Sequence, residues 1–253
     1  MQTLFIGQQL IYCDVINSTN SYANEVLQQK NLIEGTVIYS FNQIKGRGQR
    51  GNNWESKPNK NLALSLILQP SFIAPSKQFY LSKIISLALA DLMAYIIKKA
   101  DKMLAVKIKW PNDIYINDKK VAGILIENNA TQKSINHSII GIGINVNQSK
   151  FNTANAVSIV NVIGEEYDLE ELVKEVCSFI ESYYLQLKSH KLEDIDKQYA
   201  QALYGINQWR YFEDNNGQFE GKIKGVSQIG ELLLEDKSNN IKEFDLKQIK
   251  FLP

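Results

Sequence analysis

The sequence predicts an α+β fold that ends in a small β-barrel, and three observations predict it. Apolar runs at Thr36–Phe41, Leu62–Leu68 and Ile139–Val146 have the length and composition of buried strands. Ser76–Ala100 carries apolar residues at the period of one long amphipathic helix. From about Gly205 the pattern changes to short alternating runs punctuated by turn residues. A chain of 253 residues with 44% apolar content has room for one large domain and a small module. The expected division is 1–204 and 205–253.

Composition excludes several function classes. Lys and Arg total 28 against 27 Asp and Glu, which leaves no net field to draw nucleic acid or an anionic membrane. Cys13 and Cys177 lie far apart, and His137 and His190 are the only histidines, so no metal site is expected. Few cysteines and no signal peptide fit the cytoplasm. No apolar run approaches the roughly 20 residues that span a bilayer.

Taken in order, the first strand is expected at Gln9–Val15, followed by Ile16-Asn17-Ser18-Thr19-Asn20 and a helix of about ten residues. Ser18 or Thr19 suits the helix N-cap, and the same hydroxyls suit a small ligand beside the helix start. Thr36–Phe41 then delivers Gln43, whose amide both donates and accepts. Next comes the basic stretch Lys45-Gly46-Arg47-Gly48-Gln49-Arg50-Gly51-Asn52-Asn53-Trp54, read as a mobile loop that folds over an anion. Its spacing matches the dinucleotide fingerprint G-x-G-x-x-G, but that motif must open directly into a helix and here a strand follows.

In Val106–Trp110 the side chains alternate, and Lys109 ends the strand beside Pro111-Asn112-Asp113. A cation there can hold a developing negative charge, or serve as an edge-strand lysine that discourages aggregation. Ile114–Glu127 reads as a hairpin whose second strand contains Gly123. In Ile139–Val146 the isoleucines face one way, and Gly141, Gly143 and Asn145 face the other, a surface suited to a flat ligand. Helices are expected at Leu169–Lys188 and Lys191–Tyr204. Barrel strands are expected at Gln208–Glu213, Gln218–Val226, Glu231–Leu234 and Ile241–Phe251.

Ser18-Thr19-Asn20, Gln43, Gly46-Arg47-Gly48 with Trp54, Lys109-Trp110-Pro111-Asn112-Asp113, Lys120–Leu125 and Gly141–Asn145 together resemble the biotin protein ligases, in that family's order. The resemblance implies a mixed β-sheet backed by helices, the biotinyl/lipoyl protein ligase catalytic fold, with an SH3-like C-terminal barrel. Because the chain begins almost at its first expected strand, it resembles the monofunctional type without a DNA-binding domain. The implied reaction joins biotin and ATP, accompanied by Mg²⁺, into biotinoyl-AMP. The biotinyl group then passes to a lysine of a biotin carboxyl carrier domain of acetyl-CoA carboxylase or a related carboxylase.

The resemblance also implies site roles. Lys109 and Arg47 are the catalytic cations. Biotin is held by Ser18, Thr19, Asn20, Gln43, Gly46, Arg47, Gly48, Gln49, Lys109 and Gly123. ATP is held by Arg47, Arg50, Trp54, Lys109 and Asn145. Members often carry arginine where this chain has Gln49 and Asn52, so the phosphate clamp has fewer cations here. Lipoate-protein ligase and a non-catalytic biotin-binding module are the alternatives, and a homodimer stays open.

Overall fold

The computed structural model describes residues 3–30 and 32–252, except for the side chain of Arg50. The elements run β1 (Leu10–Tyr12), α1 (Thr19–Gln29), β2 (Val37–Ser40), β3 (Gly46–Arg47), β4 (Asn53–Trp54), β5 (Asn61–Leu68), α2 (Phe79–Lys99), β6 (Val106–Lys109), β7 (Asp113–Ile116), β8 (Lys119–Ala130) and β9 (Ile135–Asn145). Then follow α3 (Ile159–Ile163), α4 (Leu169–Lys188), α5 (Leu192–Ala202), β10 (Trp209–Asp214), β11 (Gly217–Val226), β12 (Leu232–Glu235), β13 (Ile241–Phe244) and β14 (Lys250–Phe251).

Seven strands form one sheet in the order β1-β2-β5-β9-β8-β7-β6. The β1–β2 pair is parallel and the other pairs are antiparallel, so the sheet is mixed. Period-2 alternation gives it two different faces. Leu62, Leu64, Leu66, Ile140, Ile142 and Ile144 point to one side and form the main core with α2 and α4. Ile38, Ile67 and Ile139 point to the other side and pack under Ala23 of α1. Helix α1 covers only part of that second face. Gly141 lies under its first turn, Gly143 and Gly123 lie beyond it, and the three form the floor of the site.

Helix α2 begins three residues later than expected because Pro75–Lys77 forms a 3-10 turn first. By length and composition Pro75–Lys99 would pass as a membrane span, contrary to expectation; 78% of its most apolar window is buried inside the protein, so its hydropathy is that of a core helix. One cation interrupts the stripe. Lys83 is buried, with Nζ 2.6 Å from Asp196 Oδ1 on α5 and 4.6 Å from the Tyr80 ring centroid. A buried ammonium is tolerated only when paired in this way.

The C-terminal strands form a five-stranded antiparallel sheet, in the order β13-β12-β11-β10-β14. The single strand expected at Ile241–Phe251 is two strands, because Asp245 N donates to Gln248 Oε1 at 2.7 Å and turns the chain. Trp110 Nε1 donates to Gly230 O at 2.8 Å, and Phe79 lies where a Cβ on Gly230 would be. These contacts join the small sheet to the large one beside β6.

Candidate active site

A cleft opens on the glycine face. Ser18, Thr19, Asn20 and Gln43 line one end. Arg47, Gly48, Gln49 and Trp54 form the loop side. Gly123, Gly141 and Gly143 form the floor, with Leu125 beside Asn20 and with Asn112 and Lys120 at the other end.

The polar end is built from the start of α1. Ser18 Oγ accepts from Ser21 N at 3.5 Å, so Ser18 caps the helix and lines the cleft as well. Thr19 donates to Gln43 Oε1 from its backbone N at 2.9 Å and from Oγ1 at 3.3 Å. Asn20 is buried; its Oδ1 accepts from Ser65 Oγ at 2.6 Å, and its Nδ2 donates to Glu127 Oε2 at 2.7 Å. A Cβ on Gly141 would lie 2.4 Å from Asn20 Oδ1, so only glycine fits there.

The basic stretch is more ordered than a plain loop. Gly46 pairs with Trp54 and Arg47 with Asn53, and Gln49–Gly51 forms one 3-10 turn between them. The small hairpin lays the Trp54 indole on the floor. A Cβ on Gly143 would lie 2.5 Å from Trp54 Cε2, and one on Gly123 would lie 3.1 Å from Cζ3. Trp54 Nε1 is buried and makes no hydrogen bond. Arg47 is half-exposed, with Nη2 3.2 Å from each oxygen of Glu127.

The lysine that lines the cleft is Lys120, which was missing from the expected site. Its Nζ is 2.7 Å from Asp113 Oδ1 and 5.5 Å from the Trp54 ring centroid. Simple alternation would put Lys120 on the core side with Ala122. A bulge intervenes: Ile114 pairs with Ala122 and Tyr115 pairs with Lys120, so Val121 is an extra residue. Val121 and Ala122 both enter the core, and Lys120 is turned to the glycine face. No period-2 reading shows this.

Lys109 is not among the lining residues. It shares the face of Asp113 but sits on β6, one strand farther out. Its Nζ donates to Tyr115 Oη at 3.3 Å and lies 5.0 Å from the Phe251 ring centroid. Burial holds its pKa below the usual lysine value; Asp113 opposes the shift, and Arg210 and Lys120 add to it. The structure thus puts Lys109, expected at the reacting atoms, one strand outside the cleft lining.

Asn145 also stays out of the cleft, because its Nδ2 donates to Lys120 O at 3.4 Å and Val157 O at 3.1 Å. Gly46 lies beneath Gln43 and Trp54 and supports the cleft without lining it. The side chain of Arg50 lies outside the described atoms. Asn112, which lines the cleft, donates to Ile124 O at 2.6 Å. Asp113 is the carboxylate paired with Lys120. Among the described residues no three His, Cys, Asp or Glu side chains gather as a metal site.

Residues 12–145, which carry the whole cleft, match the family model described as "Biotin/lipoate A/B protein ligase family". The chain belongs to this family. Within the biotin/lipoate A/B ligases it is 34% identical to the Bifunctional ligase/repressor BirA of Bacillus spizizenii over 240 residues, covering 93% of this chain and 72% of that protein. It is 26% identical to the Biotin--[acetyl-CoA-carboxylase] ligase of Paracoccus denitrificans over 223 residues, covering 85% of this chain and 91% of that one. Its fold matches the biotin protein ligase from Aquifex aeolicus in complex with biotin and ATP, with a TM-score of 0.78, 25% identity, and coverage of 97% and 99%.

Proposed function

We propose that the chain is a biotin protein ligase. It activates biotin with ATP as biotinoyl-AMP, then transfers the biotinyl group to a lysine of a biotin carboxyl carrier domain. The carboxylase is acetyl-CoA carboxylase or a related enzyme, and the reaction takes place in the cytoplasm. Residues 1–204 carry the chemistry, and 205–253 form the accessory sheet.

One observation supports this reading most. A single cleft joins a polar, amide-rich end to a glycine floor bearing a flat indole, with a cation at each side. Biotin has a urea-like ring at one end and a carboxylate at the other. Ser18, Thr19, Asn20 and Gln43 offer donors and acceptors for the ring. The carboxylate then lies toward Arg47 and Lys120. A carboxylate oxygen attacks the α-phosphorus of ATP, and the bond to pyrophosphate breaks. Two anions meet in that step, so fixed cations near the phosphorus lower its barrier. Lys120 takes the role first expected of Lys109, and Arg47 closes from the loop. Lys109 contributes positive potential from behind Asp113. Trp54 presents its ring to adenine. In the second step the acceptor lysine, as the free amine, attacks the acyl carbon. AMP leaves, and the amine proton passes to solvent. Mg²⁺ enters with ATP as part of the substrate; Asp113, which pairs with Lys120, is the carboxylate close to the cleft floor.

The test is incubation with ATP, an acceptor domain and either labelled biotin or labelled lipoate. Biotin on the acceptor lysine is expected. Lipoate transfer in its place would favour the sister activity. Biotin binding without pyrophosphate release would mean a binding module.

A further inference from the structure

Glu127 belongs to β8, on the same alternating face as Gly123 and Leu125. It does not line the cleft, yet it ties together two residues that do. Its Oε2 accepts from Asn20 Nδ2 at 2.7 Å, and both its oxygens accept from Arg47 Nη2 at 3.2 Å. Asn20 is fixed in turn by buried Ser65 and by contact with Gly141. A continuous line, Ser65–Asn20–Glu127–Arg47, thus runs from the sheet floor to the hairpin.

The geometry of the last link is informative. Both contacts to Glu127 use one nitrogen, Nη2. A guanidinium carries five N–H donors, so Nη1 and Nε remain for an anion inside the cleft that Arg47 already lines. The pair is open to solvent, with side-chain exposures of 48% and 40%, and pairs of that kind add little to fold stability. Its effect on a long, rotamer-rich side chain is to fix direction.

Resting on the ligase function above, we propose that Glu127 is a positioning residue for adenylate formation and retention. It holds Arg47 at the cleft mouth in a posture set by the sheet. The biotin carboxylate and α-phosphate then meet a cation that is already oriented. Glu127 itself touches neither substrate.

Glu127→Gln separates this role from a structural one. Glutamine keeps an oxygen for Asn20 and removes the charge that holds Arg47. The measurement is the escape rate of pre-formed biotinoyl-AMP from the full chain, in a double-mutant cycle with Arg47→Ala. Glu127→Gln should speed escape about two- to fivefold, the range a half-exposed ion pair supports. In the Arg47→Ala background it should add nothing. Glu127→Ala should in addition weaken biotin binding, because Asn20 Nδ2 keeps only its longer bond, to Leu125 O at 3.3 Å; circular dichroism checks its folding. An unchanged or slower escape for Glu127→Gln overturns the proposal, as does an equal increase without Arg47. If the wild-type chain forms no biotinoyl-AMP, the ligase function falls and takes this role with it. If the wild type forms it and Glu127→Gln behaves identically, only the positioning role falls.

Discussion

Replacing Lys120 and Lys109 in turn by alanine asks which lysine serves the reaction. Lys120 Nζ lines the cleft, 2.7 Å from Asp113, with side-chain exposures of 31% and 23% for the pair. Loss of a fixed charge at a reacting phosphoryl centre costs about 3 kcal/mol. At about 1.4 kcal/mol per decade, that is roughly a hundredfold in rate. The lost ion pair is partly exposed, so its contribution to stability is about 1 kcal/mol or less. Asp113 also keeps Lys109 opposite it across the β6–β7 pair, so the fold should survive. Lys109 lies across Asp113, between Tyr115 and Phe251. Its removal should cost about fivefold or less, as for a cation that makes no direct contact. The assay is biotin-dependent pyrophosphate release at saturating ATP, with the melting temperature of each variant as control. A deeper loss for Lys109→Ala than for Lys120→Ala, with both folded, would refute the assignment from the bulge.

Other outcomes follow from the same geometry. Gln49 lines the cleft on the loop side, so Gln49→Arg should slow the escape of biotinoyl-AMP by about tenfold or more, since a charge-assisted bond contributes roughly 1.5–3 kcal/mol when shielded from water; Arg47→Ala should speed escape and weaken biotin binding. An unchanged rate for Gln49→Arg would mean that position 49 does not face the phosphate. Gly143→Ala places a Cβ 2.5 Å from the Trp54 ring and must lift the indole by about 1 Å to restore van der Waals contact. ATP affinity should fall several-fold while biotin affinity stays close to wild type, and a calorimetric titration showing the reverse would place adenine elsewhere. Burial pushes the Cys177 thiol up to about 12, and the thiolate is the reactive form. At pH 8 iodoacetamide should therefore label the half-buried Cys13 first, and Cys177 only after unfolding; mass spectrometry of the native protein gives the order.

Much of the architecture was legible because it rests on local pattern. Leu169–Lys188 was bounded correctly by its helical pattern, and the structure adds the cap, the side chain of Asp168. The glycine face of β9 was legible from alternation alone, and Gly141 and Gly143 are where Asn20 and Trp54 come down. What escaped was set by pairing between distant segments. Nothing inside Lys119–Glu127 marks Val121 as the extra residue; the bulge exists only against β7. Asn145 was expected at the rim of the site, but the carbonyls of Lys120 and Val157 claim its amide. The hairpin in the basic stretch was missed because its strands are two residues each, too short for periodicity to register.

The bulge at Val121 makes the direction of a charge depend on how one strand pairs with its neighbour. Substitutions at Val121 change volume in the core and leave Lys120 pointing where it does. Removing one residue between Lys120 and Gly123 leaves them two apart, so plain alternation keeps the ammonium on the glycine face and one core side chain is lost. The same letters in a straight, unbulged β8 would instead turn the ammonium toward the core side, into apolar surroundings.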